Sequence, residues 1–307
     1  MSAPPLLDRD AIAALLPPVA AVDALEAALR AGLDPEEDPA RTSVPAGEGE
    51  LLLMPSRWRG AVGAKLVTVA PEAPERTTPR VQGLYVLFDA ETLAPAALID
   101  GIALTTLRTS AVSALALRHL AAPGARRLVL FGTGPQAWGH VEAVRAVCPI
   151  ERLHVFGRDR GRLAGFVERA RAAGLGAGEG TPDDVADADV VCCCTTAGEP
   201  LFDGDRPPPH CSVVAIGSHQ PDVREVDERL VGRATVVVEA ISAALREAGD
   251  VIAAVRAGVL DTGRLVPLDR LVRDPAAVPL DRPRFFKSTG MAWEDAVLAE
   301  ALWRRAL

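Results

Sequence analysis

The sequence RLVLFGTGPQAWGHVEAV, at residues 127–144, contains the glycine-rich turn from which the rest of the chain can be interpreted. An apolar run that predicts a buried strand is followed by GTGPQA and then by a helical pattern, which is the G-x-G-x-x-G/A arrangement of a dinucleotide-binding βαβ unit. The first glycine allows the tight turn, the second lets a pyrophosphate approach the backbone, and the helix N-terminus offers amide hydrogens and a positive dipole. We therefore expect the cofactor to contact Gly132, Gly134, Pro135, Gln136 and Ala137. The alternative is a strand-to-helix turn that binds no ligand.

Downstream of this turn, predicted strands alternate with predicted helices. The strands are RRLVLF (126–131), RLHVFG (152–157), VVCCCTT (190–196), SVVAIG (212–217) and ATVVVEA (234–240), and the first helices are expected over 136–147 and 160–173. Such alternation predicts an α/β fold with a doubly wound parallel sheet, the Rossmann arrangement.

The first part of the chain has a different pattern. We predict a helix over 9–30, strands at ELLLMPS (50–56) and GAVGAKLVTVAP (60–71), a strand pair in 81–100 around the turn Asp89–Leu93, and a helix over 105–121. After a loop at Lys287–Gly290, an amphipathic helix at 292–307 is expected to return to this first domain. With a boundary at Pro123-Gly124, the predicted domains are 1–122 with 285–307, and 123–284.

Composition narrows the function class. Among 307 residues, 49% are hydrophobic and 24% charged, as in an ordinary globular protein, and the net charge of −8 argues against a nucleic-acid partner. Neither a signal peptide nor an uninterrupted apolar run of about 18 residues is present, so we expect no membrane association and a cytoplasmic location. Cys192, Cys193 and Cys194 are adjacent on a predicted strand and alternate between its faces, so no metal site and no disulfide is predicted.

The end of the second predicted strand indicates which nicotinamide is used. An NAD site usually places a carboxylate there to bind the ribose 2′-hydroxyl, whereas this chain has Gly157 and Arg158, with Arg160 and Arg162 beyond. A guanidinium suits a 2′-phosphate because it binds through two hydrogen bonds. We therefore favour NADP(H) over NAD(H). Asp159 follows one position too late for the usual carboxylate, and the alternative for the two later arginines is a solvated helix face.

Several segments together resemble the ornithine cyclodeaminase/mu-crystallin family over nearly the full chain. They are GAKLVTVAPE (63–72), LIDGIALTTLRTSAVSALALRHLA (98–121), GTGPQA (132–137), ADVVCCCTTAGEPLF (188–202), VVAIGSHQPDVREVD (213–227) and FKSTGMAWEDA (286–296). The resemblance implies a homodimer, built from an α/β dimerisation and substrate-binding domain and a Rossmann domain. It also implies chemistry at the Cα–N bond of amino or imino acids, although the fold alone does not select the reaction.

The resemblance also implies site residues. Arg41, Lys65 and Arg108 would bind the substrate carboxylate, for which a fixed cationic clamp is chemically suitable, although Arg108 alternatively belongs to a helix surface and Arg41 to a simple loop. Thr109 and Ser288 resemble cofactor contacts. Thr195 and Thr196 end a predicted strand, where ligands bind in α/β sheets. For these four hydroxyls the alternative is helix or turn capping.

His219 marks a departure from the cyclodeaminases of the family, which have an aspartate at this position. A histidine can donate a proton near neutral pH but offers no negative charge to a second amino group, and Asp222 is a weak substitute. We therefore expect an NAD(P)H-dependent oxidoreductase of a ketimine, 2-imino acid or amino acid, with Lys65, Arg108 and His219 as catalytic residues. The alternatives are an ornithine cyclodeaminase-type ammonia lyase and an NADPH-dependent ligand-binding protein of the mu-crystallin type. In a purely structural role His219 would cap a loop.

Overall fold

The computed structural model describes residues 3–71, 78–275, 278–279 and 281–307; Glu72, in one of the quoted segments, lies outside them. The helices in this part of the chain are α1 (Arg9–Leu15), α2 (Pro18–Arg30), α3 (Gly101–Leu120), α4 (Pro135–Arg145), α5 (Arg160–Ala172), α6 (Glu228–Arg233), α7 (Ile241–Glu247), α8 (Gly249–Arg256), α9 (Leu268–Arg273) and α10 (Ala292–Ala306). The strands are β1 (Leu6–Leu7), β2 (Thr42–Ala46), β3 (Gly49–Trp58), β4 (Ala61–Val69), β5 (Val81–Asp89), β6 (Pro95–Asp100), β7 (Arg127–Phe131), β8 (Arg152–Phe156), β9 (Gly176–Glu179), β10 (Val190–Cys193), β11 (Ser212–Ala215), β12 (Thr235–Val238), β13 (Val266–Pro267) and β14 (Arg284–Lys287).

The chain divides into two compact units. Unit 1 comprises Met1–Arg108 and Met291–Leu307, and unit 2 comprises Thr109–Gly290. This division falls within α3, fourteen residues before the boundary expected from Pro123-Gly124. The end of α3 belongs to unit 2 because the Leu120 carbonyl oxygen accepts hydrogen bonds from Ser212 Oγ and Arg284 Nε, each at 2.9 Å. The sequence-based boundaries stay a prediction.

Unit 1 contains a six-stranded sheet in the order β1-β6-β5-β4-β3-β2 among its described residues. Strands β2 to β6 form an antiparallel meander, and β1 pairs with β6 in parallel. Residues along β4 alternate, with Gly63, Lys65 and Val67 buried on one face and Leu66 and Thr68 exposed on the other. The strand pair predicted around Asp89–Leu93 is present, whereas β1 and β2 were not predicted.

The single helix predicted over 9–30 is wrong, because the structure has two helices there. Pro17 and Pro18 interrupt the pattern, and α1 and α2 meet at an angle of 72°. A proline lacks the amide hydrogen that a continuous helix needs, but it is compatible with the first helical turn, where α2 begins. Helix α3 begins at Gly101, before the predicted residue 105, because Asp100 Oδ1 accepts hydrogen bonds from the amides of Ile102 and Ala103.

Unit 2 contains an eight-stranded sheet in the order β13-β12-β14-β11-β10-β7-β8-β9 among its described residues, with every pairing parallel. The predicted doubly wound Rossmann sheet is therefore confirmed. Strands β9, β13 and β14 were not predicted, and Lys287 ends β14 where a loop was expected. The carboxyl ends of β7 and β10, which lie side by side on opposite sides of the reversal in strand order, form the switch point at which such sheets bind ligands.

No single helix in the described ranges combines the length and apolar character needed to cross a membrane. The bent pair α1 and α2 satisfies the criterion only when its two helices are taken together, by length and composition.

Candidate functional site

The glycine-rich turn follows β7 as predicted. Gly132 has a φ of +111°, which favours glycine, and a Cβ atom there would lie 2.4 Å from the carbonyl oxygen of Cys194. The Gly132 amide donates to the carbonyl oxygen of Phe156 at 2.9 Å. The turn is therefore held against the ends of β10 and β8 and has no space for a side chain at its first glycine.

The second glycine of the turn has free space around it, whereas the first is enclosed by other atoms. Gly134 is the N-cap of α4, and no atom would lie within 4 Å of a Cβ placed on it. No side chain caps this helix N-terminus, and Pro135 occupies its first turn, where a missing amide hydrogen costs nothing. Ala137 is completely buried. Uncapped amides beside an open glycine fit the pyrophosphate of a dinucleotide.

The end of β8 is the place where the sequence predicts contact with the cofactor ribose. Gly157 has no side chain to bind a ribose hydroxyl, and a Cβ there would lie 2.7 Å from Thr133 Cγ2, so a larger residue would require the Thr133 side chain to move. Asp159 is instead used as the N-cap of α5, where its Oδ1 accepts from the Arg162 amide at 2.9 Å. Arg158 is exposed and forms no ion pair with any described residue.

A buried polar contact between α3 and α4 involves a histidine that the sequence analysis did not single out. The His140 side chain is completely buried, and its Nδ1 lies 2.8 Å from the Gln136 carbonyl oxygen while its Nε2 lies 2.9 Å from Ser113 Oγ. Ser113 Oγ is also 3.0 Å from the carbonyl oxygen of Thr109. Because a carbonyl oxygen only accepts, Nδ1 carries the proton. The Ser113 hydroxyl has one hydrogen, which is shared between the Thr109 carbonyl oxygen and the unprotonated Nε2, and these contacts link Thr109 to Gln136, both predicted to contact the cofactor.

The remaining hydroxyl candidates lie at carboxyl ends of strands. Thr195 is half-buried and its Oγ1 donates to Glu225 Oε1 at 2.7 Å, whereas Thr196 is exposed. Ser288 is almost completely buried, and its Oγ donates to Glu239 Oε1 at 2.6 Å. In this structure the hydroxyls of Thr195 and Ser288 therefore join the strand ends on which they lie to carboxylates of other segments, Glu225 and Glu239.

His219 is half-buried in the loop that follows β11. The loop is folded locally by Ser218 Oγ, which accepts from the Gln220 amide at 3.0 Å. Asp222, the carboxylate considered as a substitute for the family's aspartate, is 81% exposed and forms an ion pair with Arg256 at 3.3 Å. Its side chain is directed to solvent.

In unit 1, Lys65 and Arg108 meet the same helix. Lys65 Nζ lies 2.7 Å from Asp295 Oδ2, and Arg108 Nη1 lies 3.0 Å from Glu294 Oε2. Arg108 Nε is also 3.9 Å from Asp295 Oδ1. Both carboxylates lie in the first turn of α10, a favourable position for negative charge, and Glu294 Oε1 accepts from the Met291 amide.

Burial changes the acidity of these groups. Desolvation first, and the charge of Arg108 second, lower the pKa of Lys65 to about 8, although Asp295 opposes the shift.

The hydroxyl of Tyr85, directly across from Lys65 on β5, is buried with no hydrogen-bond partner among the described residues. A Cβ at Gly63 would lie 2.3 Å from that hydroxyl oxygen, so the tyrosine occupies the space that a side chain at Gly63 would need.

Arg41 is half-buried in the segment that leads into β2. Asp38, three residues earlier, holds this segment because its carboxylate accepts from Ser56 Oγ at 2.6 Å and from the Trp293 amide at 3.0 Å. Burial raises the pKa of Asp38 to about 6, although both hydrogen bonds oppose the shift. Asp38, Glu294 and Asp295 were not predicted as site residues. The only signal for the last two was their place in the quoted segment 286–296.

The cysteines are structural. All five are free, and burial raises the pKa of each thiol, which disfavours the thiolate, the reactive form. Among the described residues, no group of three or more histidine, cysteine or acidic side chains is arranged to hold a metal ion.

Comparison with known proteins decides the family. The model of the ornithine cyclodeaminase/mu-crystallin family matches residues 6–307. The chain belongs to this family. The resemblance predicted from the sequence is thus confirmed over nearly the full length of the chain.

The relatives in the ornithine cyclodeaminase/mu-crystallin family include imine reductases. Delta(1)-pyrroline-2-carboxylate reductase of Bacillus cereus (strain ZK / E33L) is 31% identical over 284 residues, covering 88% of this chain and 86% of the relative. Ketimine reductase mu-crystallin of Rattus norvegicus is 31% identical over 269 residues, covering 86% and 84%. These names agree with the reductase chemistry expected from the sequence.

A solved structure of the same family extends the likeness to three dimensions. Thermococcus litoralis Delta(1)-pyrroline-2-carboxylate reductase, in complex with NADH and L-proline, superimposes with a TM-score of 0.89 at 28% identity, covering 98% of this chain and 97% of that one. The cofactor of that relative agrees with the predicted nicotinamide dinucleotide.

Proposed function

We propose that this chain is an NADP(H)-dependent reductase of a ketimine or 2-imino acid, such as a pyrroline- or piperideine-2-carboxylate. The observation that carries the proposal is the buried pair of cations, Lys65 and Arg108, in a chain whose other unit contains the dinucleotide turn. Glu294 and Asp295 balance the two buried charges within the protein, and two neighbouring cations in fixed positions suit a substrate that carries a carboxylate. The names of the relatives support the same reaction class.

The cationic residues would bind and orient the substrate. Arg108 offers a planar guanidinium, two of whose nitrogens face Glu294 and Asp295, and Lys65 offers an ammonium held by Asp295. Their carboxylate partners restrict the rotation of both side chains, so the clamp is formed before the substrate arrives. Arg41 would complete the clamp from the segment that Asp38 holds.

Reduction of a C=N bond consumes one hydride at carbon and one proton at nitrogen. The dihydronicotinamide, when bound, supplies the hydride. His219 would supply or relay the proton, since an imidazole exchanges a proton near neutral pH. The half-buried position of its loop is compatible with access to both water and substrate. Thr109, Thr195, Thr196 and Ser288 would border the cofactor.

The preference for NADP(H) is part of the proposal. Gly157 offers no carboxylate to the ribose, and Asp159 is engaged as a helix cap. Arg158 is exposed at the strand end and is available to a 2′-phosphate.

The experiment that tests this function follows nicotinamide absorbance with NADPH or NADH and a panel of cyclic and open-chain 2-imino acids. We expect oxidation of NADPH with a cyclic substrate and one equivalent of the matching cyclic amino acid as product. Release of ammonia from a diamino acid with NAD⁺, without net oxidation or reduction, would instead identify a cyclodeaminase. Asp222, the carboxylate considered as a substitute near His219, is directed to solvent, which disfavours that reaction.

A homodimer and a cytoplasmic location belong to the same proposal. Leu53, Leu66 and Leu84 are cross-strand neighbours on the outer face of the unit 1 sheet, and the latter two are 39% and 43% exposed. Adjacent exposed leucines are typical of a surface that another chain covers. A Leu66→Lys and Leu84→Lys double variant should therefore sediment as a monomer, whereas wild type should sediment as a dimer.

A further inference from the structure

One buried carboxylate in unit 2 joins the ends of two adjacent strands. Oε1 of Glu225 accepts from the amide and the hydroxyl of Thr195, at 2.8 and 2.7 Å, just beyond β10. Its Oε2 accepts from the amide of Gly217 at 2.7 Å, just beyond β11. Glu225 is completely buried, so these three donors replace the water that its charge would otherwise bind.

A second buried carboxylate, Asp250, fixes the backbone that carries Glu225. The amides of Glu225 and Val226 both donate to Oδ1 of Asp250, at 2.7 and 2.9 Å. Oδ2 of Asp250 lies 2.8 Å from Nζ of Lys287, the last residue of β14, and neither side chain is exposed. A continuous buried chain thus runs from β14 through the start of α8 to the ends of β10 and β11.

Gly217 has no freedom within this arrangement. A Cβ there would lie 2.0 Å from the Thr195 carbonyl oxygen and 2.6 Å from Oε1 of Glu225. The backbone at Gly217 is therefore pressed between Thr195 and the carboxylate. His219 is only two residues further along, and the Ser218 hydroxyl folds the intervening turn onto the Gln220 amide. The position of the Gly217 backbone consequently determines where the loop that carries His219 leaves the sheet.

A carboxylate can accept from all three donors at the two strand ends. Each oxygen accepts from a different strand end, and an amide in the same place would keep one accepting oxygen and turn an N–H₂ group toward the other donor. An N–H₂ group cannot bond to a backbone amide, so the amide of either Gly217 or Thr195 would lose its acceptor, although the Thr195 hydroxyl can still accept. The isosteric change Glu225→Gln therefore weakens the brace by one backbone hydrogen bond with little change in volume.

We propose that Glu225 is a positioning residue, which through its bond to Gly217 holds the His219 loop in the geometry required for proton delivery. This inference rests on the proposed reductase function, in which His219 supplies or relays the proton. Glu225 itself would touch neither substrate nor cofactor, and its effect would pass through the loop.

A double-mutant cycle in the chain of 307 residues tests the proposal. We expect Glu225→Gln to lower kcat by about 10- to 100-fold, the size of effect that a small displacement of a catalytic group produces. In a His219→Ala background the same change should lower kcat less than 2-fold, because the group that it positions is already absent. Equal losses in both backgrounds, or wild-type kcat in Glu225→Gln, would overturn the proposal.

The matched control is Asp227→Asn, which alters a buried carboxylate two residues away. Asp227 accepts from the amides of Leu230 and Gly204, caps α6 and does not contact the His219 loop. The Asp227→Asn variant should be less stable than wild type but should have the same kcat. If Glu225→Gln does not fold, Glu225→Asp keeps the charge but reaches only one strand end, and the same cycle applies.

Amide hydrogen exchange separates this inference from the function on which it rests. Glu225→Gln should accelerate exchange in residues 216–220, and Asp227→Asn should not. Absence of imine reduction in wild type would refute the function while exchange still reports on the brace. Unchanged exchange in Glu225→Gln would refute the brace even in an active reductase.

Discussion

The Nζ atom of Lys65 lies 2.7 Å from Oδ2 of Asp295, and both side chains are almost inaccessible to solvent. Together with Arg108 and Glu294 they form a set of two positive and two negative charges. Each cation thus has a fixed counter-ion, which lowers the cost of burial and restricts side-chain rotation. A substrate carboxylate would meet cations whose positions are already determined.

Removing one member of this set should destabilise the protein strongly. Asp295→Asn leaves the Lys65 ammonium buried without its counter-ion, and we expect a loss of about 3–5 kcal/mol in the free energy of unfolding. Denaturant titration measures the change. The double variant Asp295→Asn with Lys65→Met should recover most of the loss, because no unpaired charge remains. A double variant as unstable as the single one would contradict the charge-pair explanation.

Substrate binding should weaken at alkaline pH. The pKa of Lys65 is lowered to about 8, and the protonated ammonium is the form that binds a carboxylate. The KM for the imino acid should therefore be constant below pH 8 and rise by about tenfold per pH unit above it. Lys65→Arg should show no such rise, since a guanidinium keeps its proton. A rise that persists in Lys65→Arg would assign the titration to another group.

The lowered pKa of Lys65 should also make the folded protein more stable as pH rises, whereas it weakens substrate binding. Between pH 8 and the ordinary value of 10.5, the unfolded chain keeps a proton that the folded chain has released. The contribution of Lys65 to the free energy of unfolding should therefore rise with pH across this window. Lys65→Met should lack this contribution.

Gly134→Ala should separate folding from cofactor binding. A methyl group there meets no protein atom within 4 Å, so the melting temperature should not change. The same methyl group would occupy the surface that a pyrophosphate approaches, and we expect NADPH to bind at least about 10-fold more weakly. Fluorescence titration measures the affinity. The matched control is Gly165→Ala on α5, where a Cβ also meets no atom within 4 Å, and this change should leave the NADPH affinity unchanged.

His140 should contribute to stability in a pH-dependent way. His140→Leu leaves the Gln136 carbonyl and the Ser113 hydroxyl without this partner, at a cost of about 2–4 kcal/mol near neutral pH. Burial lowers the pKa of His140 to about 4, so its contribution is complete above pH 6.5 and is lost as pH falls toward 4. Denaturant titrations of variant and wild type should therefore converge over that range. Ser113→Ala, which removes one hydrogen bond, should cost less.

Arg158→Ala tests the cofactor preference. If Arg158 binds the 2′-phosphate, the KM for NADPH should rise by about 10-fold while that for NADH stays within twofold. Initial rates with each cofactor measure the ratio. Arg152→Ala, an exposed arginine at the opposite end of β8, is the control and should leave both values unchanged. Equal effects of Arg158→Ala on both cofactors would place the guanidinium away from the 2′-phosphate.

Local patterns in the sequence predicted much of the fold. The strands β7, β8, β10 and β11 are short apolar runs bounded by glycine or polar residues, and such runs are characteristic of buried parallel strands. Strand β9, with the sequence GAGE, carries no such pattern. It forms because β8 offers it a complete edge with which to pair. Short elements of this kind depend on neighbours rather than on their own residues.

The sequence by itself determined the dinucleotide turn, the parallel sheet and the family, because glycine spacing and hydrophobic period are local properties of the chain. It also identified Lys65 and Arg108 as cations in apolar surroundings. Only the tertiary structure decided which charges compensate them, since Asp295 lies 230 residues from Lys65 in the sequence and Glu294 lies 186 from Arg108. The same holds for Glu225, which joins two strand ends that are distant along the chain. A buried charge needs partners in space, and chain folding alone brings those partners together.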